Sequence, residues 1–414
     1  MISNYISYVG QDPSAVRLGD SGLTPTAVVN AYGVPAGTGA GVKIGIVSLG
    51  GGWLASDFDQ SMTDLGLYPT VTSANIHTVL IDGAVNNFDG GNGSIENTLD
   101  LYCAAAVAPE ADITIYIGQN TISGFARVLD RAVTDNCDVI TVSWGLAEYG
   151  FLEGVFRWMF EPIFARAVAQ GTTIFVATGD LGSEATYGTG LSIQYPAGSP
   201  NVVAVGGTNL LLYPSGAIQS ETVSQTSGGG VSSIFAAPAW QQGLTYTSYS
   251  NVPGTPSRTL PLLNRGTPDI SAPMNAYDLY LAGAIQQVGG TSAAAPVMAG
   301  VMARTQAANG ARLPQLNPLF YNNPGAFYDF ASGNDTGWID TGYRSTVGWD
   351  PVVGLGRIEG SALAGMFAPQ KPKIKTADST WSTVANTWVK TDSVTWTQIQ
   401  TVWAKTVNGW QQTH

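Results

Sequence analysis

The chain has 414 residues, with 17 Lys or Arg, 29 Asp or Glu and 2 His, for a formal charge of -12. Charged residues make up 11% of it and hydrophobic residues 44%, where an ordinary soluble domain is about 25% charged. Such a chain can bury a large core. It holds no apolar run of the roughly 18 residues that a membrane span needs, and its few dispersed cations cannot form the basic stripe that nucleic acid requires.

The N-terminus MISNYISYVG lacks a basic stretch followed by a long apolar one, so no secretory signal is visible, and residues 1–22 read as an arm. From about residue 42, short β-branched runs alternate with helical stretches. Strands are predicted at 43–49, 77–81, 113–118, 138–144, 172–178 and 202–207, and helices over 95–108, 121–136 and 153–169. That alternation predicts an α/β fold, a parallel sheet covered by helices on both faces with its chemistry at the carboxyl ends of the strands. Residues 208–290, rich in Ser, Thr, Gly and Pro, are predicted as loops and short strands. A helix returns from Ser292 to about Ala308, and Pro296 is expected in its first turn, where proline loses no helical donor.

Past the linker Ala368-Pro-Gln-Lys-Pro-Lys the composition changes. Five tryptophans follow, Trp381, Trp388, Trp396, Trp403 and Trp410, and residues 381–391 align with 396–406 at a period of 15. The Thr, Val and Trp content favours strands, predicting a small β-module over 369–414. Its tryptophans either fill a core or offer an aromatic face to a partner. Cys103 and Cys137 both sit in apolar contexts and are read as buried free thiols.

Candidates for chemistry are few. His414 is terminal and His77 opens a strand, with nothing around it that resembles a catalytic loop. Gly289-Gly-Thr-Ser-Ala-Ala-Ala-Pro places Ser292 at a helix start, where unpaired amides can stabilise an oxyanion; taken alone, Thr291 or Ser292 could equally be a simple cap. A nucleophile needs a base, and with histidine set aside that base should be a carboxylate. Glu96 and Asp100 lie one helical turn apart, so they either share a proton or form an exposed acidic face. Asp180 stands in a Gly-Asp turn after an apolar strand. Gly50-Gly-Gly-Trp-Leu-Ala55 fits a dinucleotide-binding pattern, but no acidic residue closes a second strand, the nearest being Asp82.

Together these segments resemble the sedolisins, serine-carboxyl peptidases with a subtilisin-like fold in which glutamate replaces the catalytic histidine. The resemblance spans about 22–367 and runs through IGIVSLGGGW, Glu96-Asn-Thr-Leu-Asp100, VSWG at 142–145, ATGDLGS at 177–183, SGGGVSSIFAAPAWQ at 227–241, RGTPDIS at 265–271, GGTSAAAP at 289–296 and GWDPVVGLG at 348–356. It implies a peptidase domain over 23–368 in which Ser292 is the nucleophile, Glu96 its base, Asp100 the residue orienting Glu96, and Asp180 an oxyanion donor. Ser143, Trp144 and Gly145 would pair their backbone with an extended polypeptide substrate, and acidic pH would favour both acid roles. It also implies one Ca2+ site, with Asp329 and Asp350 giving carboxylates and Phe330, Thr346 and Gly348 giving carbonyls. Phe330 and Thr346 stand where the family more often has isoleucine and glycine. The family is generally made with a long N-terminal prodomain that is cut off during maturation, whereas here the motifs begin within about 25 residues of Met1, so the expectation is either a chain that folds unaided or a processed form with a new start. The tryptophan repeat resembles short repeats of phage structural proteins, so an extracellular or virion-associated setting is expected, with an idle virion protein that keeps the fold as the alternative.

Overall fold

The computed structural model describes residues 22–313 and 315–367, together with the backbone of short strands at Ser7–Tyr8 and between 373 and 412. The chain divides into two compact units, 1–366 and 367–414.

The first unit begins with strand β1, Ser7–Tyr8, and helix α1, Pro25–Ala31. There follow β2 at Lys43–Leu49, α2 at Ala55–Asp64, β3 at Ile76–Leu80, α3 at Asn92–Val107, β4 at Asp112–Gly118 and α4 at Ile122–Thr134. Next come β5 at Val139–Val142, β6 at Trp144–Ala147, β7 at Thr173–Ala177, β8 at Gln194–Tyr195 and β9 at Val203–Leu212. The main sheet has ten strands. From one edge its order is Phe327–Tyr328, Arg357–Ile358, Ile270–Pro273, β9, β7, β5, β2, β4, β3, with Ile218–Val223 paired to β9. All pairings from β3 across to Arg357–Ile358 are parallel; the two at Phe327–Tyr328 and Ile218–Val223 are antiparallel.

β5 and β7 are buried throughout, which is why their sequences read as unbroken apolar runs. Alternation along β2 splits the core. Val47 and Leu49 join α4 and the helix Glu161–Gln170 in one cluster, while Ile44 and Ile46, equally buried, turn to the face of α3 and the helix Thr291–Asn309. Those two helices pack closely because Gly300 has no side chain: a Cβ there would stand 2.6 Å from Val107 Cβ. Gly51 does the same at the other end of α3, where a Cβ would lie 2.4 Å from Ser94 N. The glycine loop after β2 therefore seats α3 rather than cradling a phosphate.

The predicted strand 138–144 is in fact two. β5 ends at Val142, and β6 leaves the main sheet to form a three-stranded sheet between β1 and β8. Residues 208–290 supply the small sheets, among them Gly230–Ala236 with Asn264–Thr267, and Tyr277–Leu281 with Ala284–Val288. Among the described residues no helix is long and apolar enough to cross a membrane.

In the second unit, strands pair antiparallel as 373–375 with 381–383, 388–390 with 396–398 and 403–406 with 409–412. The 15-residue repeat is thus a repeat of hairpins, with Trp381, Trp396 and Trp410 opposite Lys375, Lys390 and Lys405. The side chains of the tryptophans lie outside the described residues.

Candidate active site

Ser292 is the second residue of the helix Thr291–Asn309, entered through Gly290 at φ 111, a conformation that glycine adopts without strain. The first amides of a helix have no partner inside it. Here Thr291 N donates to Asp180 Oδ1 at 2.8 Å, Thr291 Oγ1 donates to the same oxygen at 2.8 Å, and Gly179 N donates to Thr291 Oγ1 at 3.1 Å. The turn after β7 is thereby locked to the start of the serine helix. Asp180 Oδ2 is buried without a hydrogen-bond partner. Burial pushes the Asp180 carboxyl up to about 6, against the pull of the two bonds from Thr291, so below that pH one oxygen holds Thr291 while the other can carry a proton.

Glu96 and Asp100 do not form an exposed acidic face: they are 1% and 0% exposed, because α3 lies between β2 and the serine helix. Burial raises both carboxyls well above the usual range. The charge of Asp100 adds to the rise of Glu96, and that of Asp180 adds a smaller part, while the Ser292 and Ser143 hydroxyls oppose it. Those hydroxyls sit close enough to favour the charged form of Glu96, yet neither Glu96 oxygen makes a bond of full hydrogen-bond geometry. Two carboxyls so close and so dry favour sharing a proton over carrying two charges.

Ser143 enters through its side chain as well as its backbone. Its Oγ donates to Asp100 Oδ1 at 2.6 Å and lies 3.3 Å from the Ser292 carbonyl oxygen. That carbonyl is open to it because of Pro296. The proline stands inside the helix, not in its first turn as the sequence suggested; it has no N–H to return to the residue four before it, and Ser143 Oγ, whose one proton goes to Asp100, packs against the carbonyl left open. Ser143 and Thr291 are the two side chains whose part in the site the sequence reading missed. Both lie in recognised motifs, but their partners are 43 and 111 residues away.

β6 carries Trp144 and Gly145. One edge pairs with β8, and the other pairs antiparallel with β1, Gly145 opposite Ser7 and Trp144 opposite Tyr8. β1 also lies beside α3. An extended segment whose chain direction leads toward Ser143 and Ser292 therefore sits on the edge where a substrate strand was expected. His77 stays outside this group, half a sheet away on the edge strand β3, exposed and 3.5 Å from Asp112. Cys103 and Cys137 are both buried and free.

The residues expected to hold calcium also come together. Gly348 N donates to Asp329 Oδ2 at 2.7 Å and Thr346 N to Asp350 Oδ2 at 2.8 Å, so the loop 344–350 wraps both acids. Asp350 Oδ1 accepts from Val352 N and Val353 N, and the Phe330 carbonyl accepts from Ser345 Oγ. Asp329 Oδ1 is buried with no partner, an acceptor set that fits a cation. Among the described residues no three His, Cys, Asp or Glu side chains cluster to hold a metal, so most ligands would have to be backbone oxygens.

The chain is similar to known proteins over most of its length. The chain is 35% identical over 366 residues to kumamolisin of Bacillus sp. (strain MN-32), covering 84% of this chain and 64% of the relative. It is 32% identical over 371 residues to sedolisin of Pseudomonas sp. (strain 101), covering 83% and 61%. The chain thus spans a little under two thirds of the length of these relatives. A solved structure of Pseudomonas sedolisin, described as a serine-carboxyl proteinase complexed with two molecules of pseudo-iodotyrostatin, superposes with a TM-score of 0.69 at 30% identity, over 83% of this chain and 97% of the other. Residues 54–318 match the subtilase family. With its subtilisin-like sheet and its serine at the head of the helix crossing behind it, the chain belongs to the subtilase family.

Proposed function

We propose that this chain is a serine-carboxyl endopeptidase that hydrolyses polypeptides through an acyl-enzyme and works best at acidic pH. The observation that carries the reading is the burial of Glu96 and Asp100 beside Ser292, with Asp180 fixed by Thr291 and its second oxygen left without a partner. Glu96, ionised, takes the proton from Ser292 Oγ as that oxygen attacks the scissile carbonyl carbon. The oxyanion that forms accepts a hydrogen bond from protonated Asp180 Oδ2. Glu96 then passes its proton to the leaving amine, and the C–N bond breaks. Water, deprotonated by Glu96, attacks the ester carbonyl carbon, and as the C–Oγ bond breaks Glu96 returns that proton to Ser292 Oγ and the acid is released. Asp100, held by Ser143, keeps Glu96 in place and shares its proton.

The substrate adds to the edge of β6 away from β8 as an antiparallel strand, taking the place of Ser7–Tyr8, which makes that pairing within the chain. Calcium, when bound through Asp329, Asp350 and the carbonyls of Phe330, Thr346 and Gly348, would neutralise two acids and fasten the loop 344–350. The proposal extends to an extracellular or virion-associated setting, with the tryptophan repeat as its docking module. The occupied β6 edge is also the observation that favours the second reading, an idle protein that retains the fold. Cleavage of a mixed peptide library between pH 3 and 7 decides between them. Wild type should cut at acidic pH and Ser292→Ala should not; no cut by either supports the idle protein.

A further inference from the structure

The turn that carries Asp180 is held from behind as well as from the side of Thr291. Gly182 N donates to the Thr226 carbonyl and Ser183 N to the Asp335 carbonyl, both at 2.8 Å, and Ser183 Oγ donates to the Thr341 carbonyl at 2.8 Å. Two glycines let the chains meet this closely. Gly182 at φ 69 and Gly337 at φ 56 both lie in the left-handed region that glycine adopts without strain. A Cβ on Gly182 would stand 2.4 Å from the Asp335 carbonyl oxygen, and one on Gly337 would stand 2.5 Å from that of Leu181. Segment 335–343 is therefore the bed on which residues 181–183 rest.

Asp335 closes that bed. It is 0% exposed, its Oδ1 accepts from Tyr343 N at 2.6 Å, and its own N donates to the Tyr343 carbonyl at 3.3 Å. Its Oδ2 is buried without a partner and lies beside the run Gly228-Gly229-Gly230, since a Cβ on Gly229 would stand 3.3 Å from it. The same run backs the other end of the turn. Gly228 N donates to the Gly179 carbonyl at 2.6 Å, and a Cβ on Gly228 would meet the Thr178 carbonyl oxygen at 2.1 Å. Asp335 thus braces the backbone on both sides of Asp180, at Ser183 through its own carbonyl and at Gly179 through the glycine run, while Thr291 holds the Asp180 carboxyl. An oxyanion donor works only within a few tenths of an ångström of its station, and a misplacement of about 1 Å can cost on the order of 10²-fold.

We propose that Asp335 is a positioning residue for the oxyanion donor: by closing segment 335–343 it holds residues 179–183 where Asp180 Oδ2 reaches the substrate oxygen. It acts through Asp180 alone. The inference rests on the reading of Asp180 as that donor.

The test is a double-mutant cycle on the full chain, with one peptide at pH 4. Asp335→Ala removes the tie to Tyr343 and should lower kcat about tenfold with KM changed by less than about twofold. Asp335→Asn keeps the shape and the acceptor, and should hold kcat within about twofold of wild type. In the Asp180→Ala background no donor is left to misplace, so Asp335→Ala should cost nothing further in kcat. A merely structural role would lower kcat by the same factor in both backgrounds, and that result overturns the inference, as does full activity of Asp335→Ala. If Asp335→Ala does not fold, Ser183→Ala, which removes the tie to Thr341, takes its place in the cycle; its loss of about threefold must likewise vanish in the Asp180→Ala background. Asp180→Ala as fast as wild type would end the donor reading and this inference with it, leaving the peptidase reading intact. If wild type cuts no peptide at all, the peptidase reading falls as well.

Discussion

Replacing Asp180 by Asn changes one property of the site and keeps its geometry. The amide oxygen can still accept from Thr291 N and Oγ1, both 2.8 Å from Asp180 Oδ1, and the amide nitrogen takes the place of the unpartnered Oδ2. Asparagine donates at every pH; Asp180 donates only when protonated, and its pKa is about 6. The protonated fraction of Asp180 then falls about elevenfold between pH 4 and pH 7. The ratio of kcat/KM for Asp180→Asn to that for wild type should rise by the same factor over that range, because the titration of the Glu96–Asp100 pair is common to both. Asp180→Ala, which has no donor, should lose about 10²–10³ in kcat at pH 4, where Asp180→Asn loses much less. The assay is a steady-state pH profile on one peptide. A ratio that stays flat from pH 4 to 7 would refute the donor role.

The same buried acids set the pH dependence of stability. Glu96, Asp100 and Asp180 are raised above their unfolded values by burial, so their contribution is present below about pH 4 and is lost as pH rises through the folded values. For Asp180 that window runs from about 4 to about 6. Tm should fall as pH rises across it, and Asp180→Asn should flatten the fall; a Tm that climbs from pH 4 to 7 in both proteins would contradict the burial argument. Proline at both Ser7 and Tyr8 removes the backbone donors of β1, so substrate no longer has to displace it, and KM should drop about fivefold with kcat unchanged. An unchanged KM would mean that β1 does not compete for the edge of β6. Chelation should lower Tm by a few degrees in wild type and by nothing in Asp329→Ala, as expected for an ion bound only by the folded state; equal melting of wild type with and without chelator counts against the calcium site.

Much of this architecture was legible in the chain. The strands at 43–49, 113–118 and 172–178 fall within one residue of β2, β4 and β7, because a strand buried on both faces must be apolar at every position. Ser292, Glu96, Asp100 and Asp180 could be offered as candidates because each lies in a short motif at a helix start, a helix turn or a strand end, with their proposed roles implied by the resemblance of the motifs taken together. Local reasoning failed where partners are distant. It placed Pro296 in the first turn, though the proline stands inside the helix and leaves the Ser292 carbonyl open beside Ser143. It also ran β5 and β6 together, since nothing local says that the chain must break at Ser143 so that its side chain can reach Asp100.

Sequence by itself therefore determined the class of fold and which side chains are candidates for the site, since these depend on composition and on residues within a few positions of each other. Tertiary structure alone decided which carboxyls are dry, which oxygen of Asp180 is left without a partner, and that Ser7–Tyr8 lies on the edge of β6. The physical reason is that burial and hydrogen-bond partnership are properties of groups brought together from far along the chain, and a carboxyl or an amide has no fixed pKa or partner until that packing supplies its surroundings.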